Sequence, residues 1–368
     1  MAEKDFAVTF LRDVEHGGAK AQPARTAALL ADFVAKATTS LDVAIYDFKL
    51  GPSLAQPVVA AFKAAAGRGV KVRIGYDANK PPKQTVVAFA AVGGDPAPIG
   101  TEEWLRREFA ETTIELKPII SPGKQLMHSK YVVRDVAGAK AAVLMGSANF
   151  TDGAWTRQEN NILRFTSSAL AKAYETDFEE MWQSATITST GRGTGQTTID
   201  KIGVTWAFSP GEGASIDGHL ASAISSAKKR IRVSSMVITS HAILGALDDA
   251  ITAGIDVAGV YDGAEMRVTE AAWKKSGTKS AAVLATWAKV KKRLSAKPSA
   301  SFSPTGPHDF MHNKVLVSDD LVLTGSYNFS KNAEGNAENQ LALASAAIAK
   351  QYAAYVDKLV KEYPTKRS

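Results

Sequence analysis

His128-Ser129-Lys130-Tyr131-Val132-Val133-Arg134-Asp135, followed by Gly146-Ser147-Ala148-Asn149, has a second copy further along the chain. The copy reads His312-Asn313-Lys314-Val315-Leu316-Val317-Ser318-Asp319, followed by Gly325-Ser326-Tyr327-Asn328. Both copies sit on β-rich sequence, where residues i and i+2 point to the same face. His and Lys therefore project together. Ser and Asn, again two apart, can share a face at the start of the partner strand.

Working outward, the two copies belong to a longer duplication. Gly69-Val70-Lys71-Val72-Arg73-Ile74-Gly75-Tyr76-Asp77 matches Gly254-Ile255-Asp256-Val257-Ala258-Gly259-Val260-Tyr261-Asp262. Glu159-Asn160 matches Glu338-Asn339, and Leu170-Ala171-Lys172-Ala173-Tyr174 matches Ile348-Ala349-Lys350-Gln351-Tyr352. The order is the same throughout. Each half alternates helical stripes with apolar strand runs, for instance Leu29, Leu30, Phe33 and Val34 before Leu41–Phe48. The predicted fold is α/β: two pseudo-twofold-related α/β/α sandwich halves, each with a mixed sheet. The expected division is 1–190 and 191–368, joined by a linker over Thr186–Thr198, which is rich in Thr and Gly. In the second half a helix is expected near 214–228, strands at 231–238, 255–261, 315–317 and 321–324, and a last helix from about 346 to 362.

Two inserts, roughly 78–125 and 263–310, align poorly. They carry Trp104, Arg106, Arg107, Trp273, Lys274, Lys275, Trp287, Lys289, Lys291, Lys292 and Arg293. Loops over a rigid scaffold usually carry specificity. Read alone, the stretch from Trp287 to Leu294 is a solvated amphipathic helix, and both readings stand.

Composition is that of a globular protein of 368 residues, 45% hydrophobic and 22% charged. The absence of cysteine excludes disulfides, thiolate metal sites and a cysteine nucleophile. Six scattered histidines offer no zinc cluster. A net charge of +7 favours anionic partners, namely nucleic acid, phospholipid headgroups or small phosphates. The start MAEKDFAVTFLRD has no basic segment leading into an apolar one, and no run of 18 apolar residues occurs. As written the chain reads as cytoplasmic; a leader removed before this start would make it secreted or periplasmic.

The repeated quartet suits phosphoryl chemistry. One imidazole can attack phosphorus and form a covalent intermediate. The other, protonated, can give a proton to the leaving oxygen. In-line attack needs them on opposite sides of phosphorus, which two facing halves supply. Lys130, Lys314, Asn149 and Asn328 can neutralise the equatorial oxygens. Two lysines make a metal unnecessary, so no metal and no cofactor are expected. Each histidine needs a partner to set its tautomer. Glu159 and Glu338, matched in the repeat, are the candidates. Ser147 and Ser326 support the strand ends. Asp135 and Asp319 can lie in the site or anchor the hairpin, and the anchoring role is favoured.

These motifs resemble the phospholipase D superfamily in its two-motif, single-chain form, over nearly the whole chain. The resemblance implies a phosphohistidine intermediate, no metal and one site between the halves. It also implies His128 as nucleophile and His312 as general acid, which the sequence itself does not distinguish. The gap from Asp135 to Gly146 is longer than the usual one and that from Asp319 to Gly325 slightly shorter, both compatible with hairpin loops. Tyrosyl-DNA phosphodiesterases are disfavoured, since they lack the motif Asp.

The leading expectation is a phospholipase D that hydrolyses a phospholipid diester and transfers the phosphatidyl group to other alcohols, with the Trp-bearing inserts touching a bilayer surface. The alternative is a nuclease, which the net charge supports and which Gly325-Ser-Tyr-Asn-Phe-Ser-Lys-Asn-Ala-Glu resembles. Cardiolipin synthase-like transfer ranks third, because no anchoring helix precedes the motifs. A catalytically dead binding module would show loss of a His or Lys from one copy, and neither is lost. The chain is expected to act as a monomer.

Overall fold

The computed structural model describes residues 5–78, 100–303 and 306–364. Part of the first insert, 79–99, therefore lies outside the described residues. The first half contributes strands β1 (Phe6–Leu11), β2 (Ser40–Ile45), β3 (Phe48–Lys49), β4 (Lys71–Asp77), β5 (Glu115–Ile119), β6 (Lys130–Arg134), β7 (Ala142–Gly146), β8 (Phe150–Thr151) and β9 (Asn160–Thr166). The second contributes β10 (Thr194–Ile199), β11 (Ile202–Ser209), β12 (Arg230–Ser235), β13 (Asp256–Asp262), β14 (Leu294–Lys297), β15 (Lys314–Ser318), β16 (Leu321–Gly325) and β17 (Glu338–Ala344).

One sheet runs β1-β9-β7-β6-β2-β4-β5 and the other β10-β11-β17-β16-β15-β12-β13-β14; β3 and β8 form a separate pair. In both large sheets the motif hairpin, β6–β7 or β15–β16, is antiparallel. The strands beyond it, β2–β4–β5 and β12–β13–β14, are parallel. Both sheets are therefore mixed, and the two-halved α/β architecture matches the expectation. The last helix, Ala346–Glu362, has the expected bounds.

One shared core joins the halves. Tyr131, Val133, Met145, Leu163 and Phe165 of the first sheet meet Val315, Val317, Leu341 and Leu343 of the second. The helices Ser168–Ser184 and Ala346–Glu362 fill the space between with Tyr174, Phe178, Tyr352 and Val356. The helices Gln22–Ala35 and Pro52–Gly67 cover the outer face of the first sheet. Gly213–Ser225 and His241–Thr252 do the same for the second.

Three readings need correction. The stretch Thr186–Thr198 is not a free linker: Ile187 is buried in the shared core and β10 begins inside it. The run Leu41–Phe48 is broken at Tyr46-Asp47, where the chain leaves β2 for β3. Trp104 and Trp287 do not face outward. Trp104 packs on Phe48 and donates to the Leu50 carbonyl, while Trp287 is buried against Tyr261 and donates to Glu270. No described helix is long and apolar enough to cross a membrane.

Asp135 and Asp319 anchor turns. Asp135 accepts the backbone N–H groups of Thr38, Thr39 and Ser40, and Asp319 those of Lys228, Lys229 and Arg230. Burial pushes the Asp135 carboxyl up, but the three N–H donors outweigh it and hold it below the usual carboxylate value. A depressed folded pKa means a contribution present above the unfolded value and lost as pH falls through the folded one. Asp135→Ala is expected to lower stability by about 2 kcal/mol near pH 7, the scale of a hydrogen bond to a charged group. Urea melts at pH 7 and pH 3 check this: the gap between variant and parent must shrink at the lower pH.

Candidate active site

The glycine of each Gly-Ser-x-Asn is fixed by crowding. A Cβ on Gly146 would stand 2.2 Å from the Asn161 carbonyl oxygen, and one on Gly325 would stand 2.1 Å from that of Asn339. This close approach lets Ser147 Oγ accept from Asn161 N at 3.0 Å and Ser326 Oγ accept from Asn339 N at 3.0 Å. Beyond the serines, Asn149 enters β8, which pairs with β3, and Asn328 precedes Phe329, which bridges Ile238. Both asparagines are buried, and each leaves its Oδ1 without a hydrogen-bond partner. Unmatched buried polar atoms at the same place in both halves suit a ligand-binding role.

The histidine segments reach across the molecule. His128 N–H donates to the Ala337 carbonyl at 2.9 Å, and His312 N–H donates to the Glu159 carbonyl at 3.1 Å. The bridges Met127↔Ala337 and Glu159↔Met311 tie each motif to the start of β17 or β9 in the opposite half. The two rings meet edge-on, with centroids 6.5 Å apart and planes inclined by 65°. Lys130 and Lys314 are both buried, and each Nζ donates to the carbonyl of its own histidine at 2.7 Å. Tyr46, which the sequence reading passed over, packs edge-on to His128 at 4.9 Å and under Lys130 Nζ at 5.0 Å.

The ring partners correct the sequence reading. His128 Nδ1 lies 2.7 Å from Glu338 Oε2, so the carboxylate comes from the other half. His312 Nδ1 lies 2.9 Å from Asn160 Oδ1, not against the expected Glu159. The cause is register. Gly146 pairs with Ile162 and Gly325 with Gln340, while Leu11 pairs with Asn160 and Ser209 with Glu338. Asn160, not Glu159, is thus the structural equivalent of Glu338. A one-residue slip sends a side chain to the opposite face. Glu159 accordingly turns into a separate buried cluster, accepting from Tyr363 at 2.6 Å and from Asp13 N at 3.3 Å. Burial pushes its carboxyl above the usual range, with Tyr363 and Lys297 opposing.

Asn160 has a fixed orientation. Its Nδ2 donates to the Ala154 carbonyl and to Gln158 Oε1, both at 3.2 Å, while its Oδ1 accepts from Ser147 Oγ at 2.7 Å. Toward His312 it presents only an acceptor, so the hydrogen of that bond sits on His312 Nδ1. The leucine and phenylalanine pattern held the missed signal: Leu163 and Phe165 face the shared core with Leu341 and Leu343, a spacing that aligns Asn160 with Glu338.

A cavity of about 470 Å³ opens beside Asn149 and His312. Lys49 and Arg107 of the first half and Phe302 and His308 of the second line it.

Comparison with known proteins identifies the family and fold. A family profile described as "Cardiolipin synthase, PLD-like domain" matches residues 30–182 and 220–360. The chain belongs to that family, within the phospholipase D superfamily of phosphodiester-acting enzymes. Phosphatidylserine synthase of Haemophilus influenzae Rd KW20 has the same fold, at 11% identity and TM-score 0.64 over 96% of this chain and 88% of that one. Polyphosphate kinase of Porphyromonas gingivalis aligns at 10% identity and TM-score 0.60, over 97% of this chain and 47% of that one. The phospholipase D family member Nuc of Salmonella typhimurium aligns at 27% identity and TM-score 0.36, over 45% of this chain and 99% of that one. No curated protein sequence matches the chain.

The register makes Glu338 and Glu159 unequal. Glu338→Gln is expected to lower kcat by about 10²- to 10⁴-fold, as loss of a carboxylate that orients a catalytic histidine does. Glu159→Gln should leave kcat within about tenfold, since its carboxylate faces away from both rings. Steady-state kinetics of the two variants on one diester substrate checks the order; equal losses contradict it.

Proposed function

We propose that the chain is a metal-independent phosphodiesterase that works through a phosphohistidine on His128, with a phospholipid as substrate. One observation carries this reading: two histidines from opposite halves meet with ring centroids 6.5 Å apart, each with its Nδ1 held by a side chain of the opposite half. His128 Nε2 attacks phosphorus, and the P–O bond to the leaving group breaks. The electron pair goes to the leaving oxygen, which takes the proton from His312 Nε2. Water, or an acceptor alcohol, then attacks phosphorus while neutral His312 takes its proton, and the P–N bond breaks. Lys130, Lys314, Asn149 and Asn328 hold the phosphoryl oxygens.

The unequal ring partners support these roles. A phosphorylated imidazole carries positive charge, and the Glu338 carboxylate beside His128 offsets it. An amide beside His312 orients the ring without stabilising imidazolium to the same degree, which suits a group that must release its proton. The cavity beside His312 then takes the leaving group, a headgroup alcohol. Hydrolysis and phosphatidyl transfer differ only in the acceptor that next enters it.

A second reading, a nuclease, is favoured by the lining of that cavity. Phe302 and His308 lie with ring centroids 5.2 Å apart and offer a stacking surface for a base. Lys49 and Arg107 suit a neighbouring phosphate, and the net charge is +7.

The purified chain, with EDTA present, is to be assayed on phosphatidylcholine and phosphatidylglycerol vesicles and on single-stranded and plasmid DNA. Release of headgroup or transfer to added alcohol, with DNA intact, is expected. DNA cleavage with inert lipid overturns the substrate assignment in favour of the nuclease. His128→Ala should abolish turnover while the melting curve is kept. His312→Ala should retain phosphorus from labelled substrate as an acid-labile, alkali-stable adduct on His128. Substantial turnover by folded His128→Ala refutes the mechanism.

A further inference from the structure

The duplication repeats a pair of acids that the chemistry above leaves without a role. β4 ends in Tyr76-Asp77 and β13 in Tyr261-Asp262. Both carboxylates are buried, at 1% and 0% exposure. Asp77 Oδ2 accepts the backbone N–H of Met127 at 2.8 Å, and Asp262 Oδ2 accepts that of Met311 at 2.8 Å. Met127 and Met311 directly precede the two histidines. A serine hydroxyl from the returning end of each insert reaches the same acid. Ser121 donates to Asp77 Oδ2 at 3.2 Å, and Ser299 donates to Asp262 Oδ1 at 2.6 Å.

The bonds around each histidine are arranged to fix its direction. The Met127 N–H is held by an acid of its own half and the His128 N–H by a carbonyl of the other half. The His128 carbonyl is held by Lys130 Nζ. Three consecutive peptide groups are therefore pinned, and with them the axis along which the ring leaves the backbone. The same set recurs at Met311 N–H, His312 N–H and the His312 carbonyl. Burying a carboxylate is strongly unfavourable unless it is well hydrogen-bonded. A charged acceptor also makes a shorter and stronger bond to an N–H than a neutral one does. A carboxylate at this point in both halves fits a demand for rigidity at the residue before the reacting one.

We propose that Asp77 and Asp262 are the positioning residues of the two histidines, each clamping a histidine segment to the stem of the insert that walls the substrate cavity. The clamp keeps each Nε2 in line with phosphorus, and the serines pass the position of the insert stems to the reacting groups. This rests on the reading of His128 and His312 as the reacting pair.

The test uses the full chain and bis(4-nitrophenyl) phosphate, in steady state and by stopped flow. Asp77→Ala is expected to lower kcat by about 10²-fold, the scale of a roughly 1 Å misplacement of a reacting group. KM should stay within about threefold, and the initial burst of nitrophenolate should slow. Asp262→Ala should keep a fast burst, because nitrophenolate leaves without a general acid, and then turn over slowly as the intermediate waits for its base. A purely structural role would slow both phases alike in both variants. Asp77→Asn and Asp262→Asn keep an oxygen acceptor and should recover to within about tenfold of the parent. If the alanine variants fail to fold, Ser121→Ala and Ser299→Ala carry the test, with a several-fold fall in kcat expected. Wild-type kcat in the folded alanine variants, or in both serine variants, overturns the clamp, as do asparagine variants no better than alanine. His128→Ala separates the two levels: if it is active, the reading of the site fails. If it is inactive while the aspartate variants are normal, only the clamp fails.

Discussion

The site depends on a reciprocal backbone contact. Each histidine segment bonds to the residue just before a strand of the opposite half: Met127 bridges Ala337, ahead of β17, and Met311 bridges Glu159, ahead of β9. Neither half holds its own histidine by itself. The contact has no side-chain specificity of its own, yet it brings two rings to 6.5 Å and delivers each ring a partner from the other sheet. The shared core of Leu163, Phe165, Leu341 and Leu343 holds the two sheets at the spacing this contact needs. Packing there and chemistry at the site are one constraint, because any slip between the sheets moves both histidines.

Around that contact chains of hydrogen bonds run behind both rings. Ser147 links Asn161 N–H to Asn160, and Asn160 in turn holds His312. Asn336 donates to Glu338 at 3.1 Å, and Glu338 holds His128. Such networks are rigid when fully satisfied and strongly destabilising when one member is lost. Asn149 and Asn328, at the same place in the two halves, each keep an unmatched oxygen, as do Asn161 and Asn313.

Much of this was legible in the chain. The duplicated His-x-Lys pattern marked the side chains that meet at the candidate site, and i,i+2 alternation placed them on strand faces. The bounds of the last helix followed from its apolar stripe. The strand Phe6–Leu11 went unread, since it is a half-buried edge strand of six residues. The alignment of Glu159 with Glu338 rested on an identical Glu-Asn dipeptide. A dipeptide match cannot detect a one-residue slip, whereas a strand buried in a core must respect it. Insert tryptophans looked like surface anchors because a sequence shows that a residue is aromatic, not which way it points; Trp104 and Trp287 point into the core.

The sequence by itself determined the reaction class: two copies of an imidazole, an ammonium, a hydroxyl and an amide, in fixed local spacing, define phosphodiester chemistry wherever the strands are laid. Local spacing survives folding because a strand's geometry is nearly invariant over a few residues. Tertiary structure alone decided which acid or amide stands behind which histidine, and that the two histidines differ. Those partners are separated by 210 and 152 residues along the chain. Their meeting follows from strand register and sheet packing, which are summed over many weak contacts and written in no single motif.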